Sequence, residues 1–238
     1  MRRTLVLGIL LFVGFAVAFA PAGLLRLAFD QIDGVTLTHP TGTIWHGHGQ
    51  ILLQESPLGT LEWDVKPSTV LRGTLSYDFA LVDMGHKLTG SANVGIDGAF
   101  ALQVSGKVSA DLVNRFLAPY DMMISGELSL TDAGLTVSGG VAQSADGQIA
   151  WSGGPVRYIL SGRSWTSDLP PLVAYLGEGA EATVFEQNGQ TPLIKAELLD
   201  NGFAKIGITK LLTKMLDNPW PGSDPDHAVV LEVEEQVF

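Results

Sequence analysis

The sequence predicts a mainly β protein. One N-terminal transmembrane helix precedes a curved antiparallel β-meander, a half-open gutter or folded-over sheet, with three or four short helices. Three observations lead there: an uncharged apolar run near the start, two-residue alternation through most of the remainder, and a high glycine content. The 238 residues include 28 glycines and are 46% hydrophobic but only 16% charged. That is enough apolar material for one sizeable core with some to spare, so a disordered chain is excluded.

The apolar run is Leu5 to Ala20, with Arg2 and Arg3 ahead of it. It carries no charge and has no polar face, so it belongs in lipid or is removed, and its length is close to the ~20 residues a bilayer needs. Ala18-Phe19-Ala20 offers the small-residue pattern of a signal-peptide cleavage site. Pro21 would then follow the cut bond, where it is disfavoured, and Leu24 and Leu25 extend the run, which favours a retained helix. Both arginines precede the helix, so the positive-inside rule keeps the N-terminus in the cytoplasm. Residues 1–23 are therefore expected to be a cytoplasmic N-terminus with a transmembrane helix, and residues 24–238 a single exported, periplasmic β-rich domain. No later stretch resembles a second span. Setting those two of 14 basic residues aside leaves 12 against 25 acidic ones, a charge of −13 on the exported part. A surface of that sign repels polyanions, so nucleic acid is excluded as a partner.

Alternation defines the strands. Leu61, Trp63 and Val65 alternate with Thr60, Glu62, Asp64 and Lys66, which gives one apolar and one charged face. Leu88, Gly90, Ala92, Val94 and Ile96 repeat the pattern, as do Phe100, Leu102, Val104, Gly106 and Val108. Ile124 to Leu130, Leu135 to Val141 and Val156 to Leu160 follow, with a last strand over 228–237. Asp97-Gly98, Asp146-Gly147, Asn188-Gly189 and Asn201-Gly202 reach positive φ cheaply and predict tight reversals. Short helices are expected over 67–72, over 110–118 between an N-cap at Ser109 and a stop at Pro119, over 170–176, and over 210–216. A modest break over 164–169 separates two halves of the sheet. So little helix cannot cover a long sheet, and Gly90, Gly106, Gly126 and Gly139 on apolar faces let strands bend. The sheet is expected to curl around a greasy concave side, filled by its own side chains or, as the alternative, by a lipid chain.

Chemistry-bearing motifs are scarce. The chain has no cysteine, which excludes disulfides, thiolate metal sites and cysteine nucleophiles. His46 and His48 share a strand face with Gln50, a geometry able to grip a metal, but no third ligand lies near them in sequence. His39, His86 and His227 are isolated. There is no nucleophile elbow, phosphate loop or dinucleotide fingerprint, so the expectation is no enzyme, no catalytic or metal site and no cofactor.

Gly42-Thr43-Ile44-Trp45 with Gly47 is similar to the G-T-x-W-x-G element of the type II secretion system protein N family. Pro21-Ala22 after the apolar run fits the same pattern, as does Leu61-Glu62-Trp63 followed by Pro67, Leu71 and Gly73. Leu169-Pro170-Pro171-Leu172 and the ending from Asp226 to Phe238 complete the resemblance, which runs along most of the chain. It implies a non-catalytic accessory component in the inner membrane of a Gram-negative envelope, serving export of folded periplasmic proteins across the outer membrane. It also implies other secretion subunits as partners and carries over no active site. Trp45 and Trp63 are expected to plug the core. In architecture alone, a tethered sheet with a greasy groove also resembles AsmA-like envelope proteins, which implies lipid handling.

Overall fold

The computed structural model describes residues 2–32, 34–70, 73–83, 85–199 and 201–236. The protein is mainly β, built on large antiparallel sheet with a few short helices. It divides into two compact units, Met1–Met84 and Gly85–Phe238.

The first unit opens with α1 (Arg2–Ala18), a 3-10 turn over Ala22–Leu25 and α2 (Arg26–Phe29). Helix α1 stops before Pro21, whose ring disfavours helical geometry at the residue ahead of it. Its 17 residues rise about 26 Å, short of a hydrocarbon core of about 30 Å. Among the described residues no helix is long and apolar enough to cross a membrane. Four strands follow as a meander: β1 (Val35–Gly42), β2 (His46–Leu53), β3 (Ser56–Val65) and β4 (Thr74–Asp83). A single turn of helix, α3 (Pro67–Val70), precedes β4; Leu71 and Arg72, expected to extend it, lie outside the described residues. Alternation in β2 and β3 is as the sequence implies. Trp63, Val65 and Ile51 are buried, whereas His46, His48, Glu62 and Asp64 face solvent. Ala22, Leu37, Ile51 and Trp63 form the core of this unit, with Leu25, Phe29, Leu61 and Tyr77 packed around them.

The second unit begins with β5 (His86–Gly95), β6 (Phe100–Ser109), α4 (Ala110–Leu117), a 3-10 turn over Ala118–Tyr120 and β7 (Met122–Ile124). It continues with β8 (Glu127–Ser138), β9 (Val141–Trp151), β10 (Gly154–Leu160), β11 (Arg163–Leu169), β12 (Leu172–Gly177) and β13 (Glu181–Glu186). The last elements are β14 (Pro192–Leu198), β15 (Phe203–Thr209), α5 (Lys210–Met215) and β16 (Val229–Gln236). The main sheet of this unit runs β5-β6-β8-β9-β12-β13-β14-β15-β16, and a second, three-stranded sheet runs β11-β10-β7. The meander is thus broken twice, where β7 and the β10–β11 hairpin leave the main sheet to pair with each other. Trp151, Val156, Leu169, Leu193 and Leu212 join both sheets and α5 in one core. Tyr158 sits at its rim, where its hydroxyl donates to the Leu216 carbonyl at 2.5 Å and burial pushes the phenol pKa up.

Several sequence expectations are corrected. The helix expected over 170–176 is strand β12, paired with β9 on one side and β13 on the other. Val173 and Tyr175 suit a strand, and two ladders satisfy backbone groups that one helical turn would leave open. Asp146-Gly147 makes no hairpin: it lies inside β9 at a register shift opposite Thr131 and Gly134. Gly147 has φ +90°, and a Cβ there would strike the Asp132 carbonyl oxygen. The expected break over 164–169 is strand β11. Pro119 does not end the helical stretch at once, because the chain passes through it in the 3-10 turn. Ser109 takes the N-cap position of α4, but its side chain makes no capping bond. Asp97-Gly98, Asn188-Gly189 and Asn201-Gly202 do lie between successive strands. Val237 and Phe238, the end of the expected last strand, lie outside the described residues.

Leu193 has no exposed surface, so Leu193→Ala removes fully buried atoms from the shared core of the second unit. The expected loss is about 2–5 kcal/mol, read as a lower midpoint in urea unfolding followed by circular dichroism. An unchanged midpoint would contradict this packing.

Candidate functional site

Strands β1 and β2 are joined by a tight turn over Thr43–Trp45. Gly42 enters it at φ +90° and is paired with Gly47 across the strands. The Thr43 hydroxyl accepts from the backbone N–H groups of Trp45 and His46, each at 3.2 Å, and donates to the His46 carbonyl at 3.4 Å. Its donor and both acceptor sites are thereby used within the turn. The Thr43 backbone N–H donates to the same His46 carbonyl at 2.9 Å. Trp63, opposite Gly47 on β3, donates its indole N–H to the Thr43 carbonyl at 3.0 Å. A Cβ on Gly47 would lie 2.7 Å from the Trp63 ring and strike the Thr41 carbonyl. Glycine is required there because the ring lies flat against the backbone.

The turn also holds the end of α1. The Trp45 indole donates at 2.8 Å to the Val17 carbonyl, one of the last of α1, which also accepts from the Ala20 N–H at 3.2 Å. The Ile44 N–H donates to the Ala20 carbonyl at 3.0 Å, and Pro21 bridges to Thr43. Trp45 in turn accepts from the Val65 N–H at 2.7 Å. The motif is a collar: two tryptophans and a threonine fasten the exit of the apolar helix to the first sheet.

Pro67 and Gly73 lie farther along, at the two ends of the β3–β4 connection. Pro67 opens α3, and Gly73 closes it at φ +76° with its N–H donating to the Val70 carbonyl. Pro170 and Pro171 belong to the second unit, between β11 and β12. Their backbone crosses Gly153, where a Cβ would sit 2.8 Å from atoms of Leu169, Pro170 and Pro171. The structure therefore gathers Gly42, Thr43, Trp45, Gly47 and Trp63 and leaves the prolines in separate structural roles.

Beside the collar, an open groove of about 460 Å³ is lined by residues of β2, β3 and β4. Its polar side carries His46, His48, Glu62, Asp64 and Asp78. His46 Nδ1 lies 2.9 Å from Asp64 Oδ2, His48 Nε2 shares a hydrogen with the Thr41 hydroxyl at 2.9 Å, and Lys66 Nζ pairs with Asp78 at 2.8 Å. These pairs are solvent-exposed, so each adds little stability. Among the described residues no three His, Asp or Glu side chains converge to hold a metal ion. The contacts to the helix end were not legible in the sequence, since Val17 and Trp45 are 28 residues apart and a carbonyl leaves no trace in residue type.

Two substitutions separate the collar's parts. Gly47→Ala forces the Trp63 ring and the Thr41 carbonyl apart, with an expected cost of about 1–3 kcal/mol and a shifted tryptophan emission on thermal unfolding. Trp45→Phe keeps an aromatic side chain but replaces the indole by a smaller phenyl and removes the N–H. It is expected to cost about 1 kcal/mol and to speed hydrogen exchange at Ile44, with little change elsewhere.

The family Type II secretion system (T2SS), protein N, matches residues 33–212, a stretch that contains the collar motif and begins after α1. Type II secretion system protein N of Vibrio cholerae serotype O1 is 28% identical over 125 residues, 50% of this chain and 50% of that protein. The match thus spans about half the length of that curated relative. No solved structure matches. The family match takes in well over half of the residues, and the chain belongs to the type II secretion system protein N family.

Proposed function

We propose that this protein is a non-catalytic accessory component of a type II secretion system, anchored in the inner membrane by α1 with its β units in the periplasm. Its role is to support export of folded proteins across the outer membrane, through contacts with other secretion subunits. The observation that carries the reading is the use of the family motif. Thr43, Trp45 and Trp63 direct their polar groups to the chain's own backbone, and none is left aimed at a substrate. A motif used this way supports a mounting role over a chemical one.

The anchor has its own support. Ile9, Leu11, Phe12, Phe15 and Phe19 are all exposed, so the helix presents apolar surface to its surroundings instead of to the sheet. Water is a costly environment for such a surface. At 17 residues the helix falls short of the hydrocarbon thickness, and a bilayer accommodates a short span by thinning or by drawing flanking basic residues to the headgroups. The exposed polar side of the groove is the surface offered to partners.

A photo-crosslinking residue in place of His48 tests the role in cells. The expected outcome is a crosslink to another secretion subunit, together with periplasmic retention of secreted proteins when the gene is deleted. Normal secretion without the gene would defeat the proposal. Alkaline extraction tests the anchor: the protein is expected in the membrane pellet, and its release into the supernatant would remove α1 from the bilayer.

A further inference from the structure

The stretch after α1 is apolar on two sides. Ala22, Leu25 and Phe29 face inward and join the core of the first unit. The helical spacing that turns these residues inward turns Leu24 and Leu27 outward, and Ile32, in the bend after α2, is exposed as well; the three are 49%, 66% and 53% exposed. No sequence motif accounts for this outer stripe, and no contact described above uses it.

We infer that the outer stripe of residues 24–32 lies in the headgroup boundary of the bilayer that holds α1, so that the first unit rests on the membrane surface. This rests on the anchor reading above. Three observations select lipid as the occupant. First, the stripe continues the exposed apolar surface of α1: Phe15 and Phe19, their rings 4.4 Å apart, end that surface three residues before Ala22. Second, the collar fixes the stripe's height. The bonds from Trp45 to Val17 and from Ile44 to Ala20, with the Pro21–Thr43 bridge, tie the helix exit to the sheet and leave no slack linker between them. A segment held that close to the end of a membrane helix sits at the boundary between acyl chains and headgroups.

Third, the charge fits. Arg26 is the single ionisable side chain from Thr4 to Phe29, and it is exposed. An arginine flanked by leucines buries its stem among apolar chains while its guanidinium reaches lipid phosphate. The half-buried indole of Trp45 at the helix exit is the side chain typical of this depth.

The chain has no cysteine, so single cysteines carry nitroxide labels without background. Phe12→Cys, Leu27→Cys, Ile32→Cys and Glu62→Cys, each in the full chain, are reconstituted in vesicles of phosphatidylethanolamine and phosphatidylglycerol. Collision rates with oxygen, which partitions into lipid, and with a water-soluble nickel chelate are then compared. The expected result is oxygen preference at positions 12, 27 and 32, shallower at the last two, and nickel preference at position 62. Oxygen preference at 12 with nickel preference at 27 and 32 would overturn the surface contact and leave the anchor standing. Nickel preference at 12 would overturn both. Labels at 27 and 32 that are immobilised and reached by neither collider would show a protein cover, a second copy or another subunit, and would also overturn the inference.

Discussion

A buried indole needs an acceptor for its N–H, and Trp63 finds one in the carbonyl of Thr43. That bond needs the ring to lie against the β1–β2 backbone, which needs Gly47 to have no side chain. It also needs the turn between the strands to present the carbonyl, which the Thr43 hydroxyl secures from within. With the turn set, Trp45 projects toward α1 and gives the Val17 carbonyl, already held by the Ala20 N–H, a second donor. One buried polar requirement thus propagates from the core of the first unit to the exit of its apolar helix.

The same economy distinguishes the two faces of the first sheet. The inner face is apolar and closed by Ala22, Leu37, Ile51 and Trp63. The outer face carries histidines and carboxylates that pair locally, His46 with Asp64 and Lys66 with Asp78, in positions open to water. Local pairing of exposed charges contributes little to folding and leaves a surface whose charge pattern can be matched by a partner.

Much of this architecture could be read from residue order, and the reasons for the misses are physical. Strands β3, β5 and β6 were legible from alternation, which in β3 buries Trp63 and Val65; in β5 the predicted apolar face is not buried, since Val94 is exposed and Ile96 lies exposed past the strand's end. The collar residues were legible as a pattern; Trp63 does sit in the core, whereas Trp45, expected there too, is half-buried outside it and turned to the end of α1. Strand β12 was not legible: Pro170-Pro171 after Asp168 imitates a helix start, and only pairing with β9 and β13 decides for a strand. Asp146-Gly147 imitates a hairpin because a bulge and a tight turn require the same positive φ from the same residues. The departure of β7, β10 and β11 into their own sheet had no local signal, since either sheet would bury Val156 and Leu169 equally well.

Strand neighbours in both units are almost always neighbours in sequence, and this bears on how the polypeptide acquires its structure. In the first unit every pairing described joins consecutive strands, and in the second the longest detour is the one that carries the chain through β8 and β9 before β10 returns to β7. Loops within the consecutive hairpins, such as β1–β2, β2–β3 and β8–β9, are short, so closing each of those costs little entropy. A ribbon of this connectivity can assemble vectorially, each hairpin docking on the one before. Each new hairpin covers the edge left by the one before, and β16 stands at the edge of its sheet, where the exposed Glu232, Glu234 and Glu235 discourage pairing with a foreign strand.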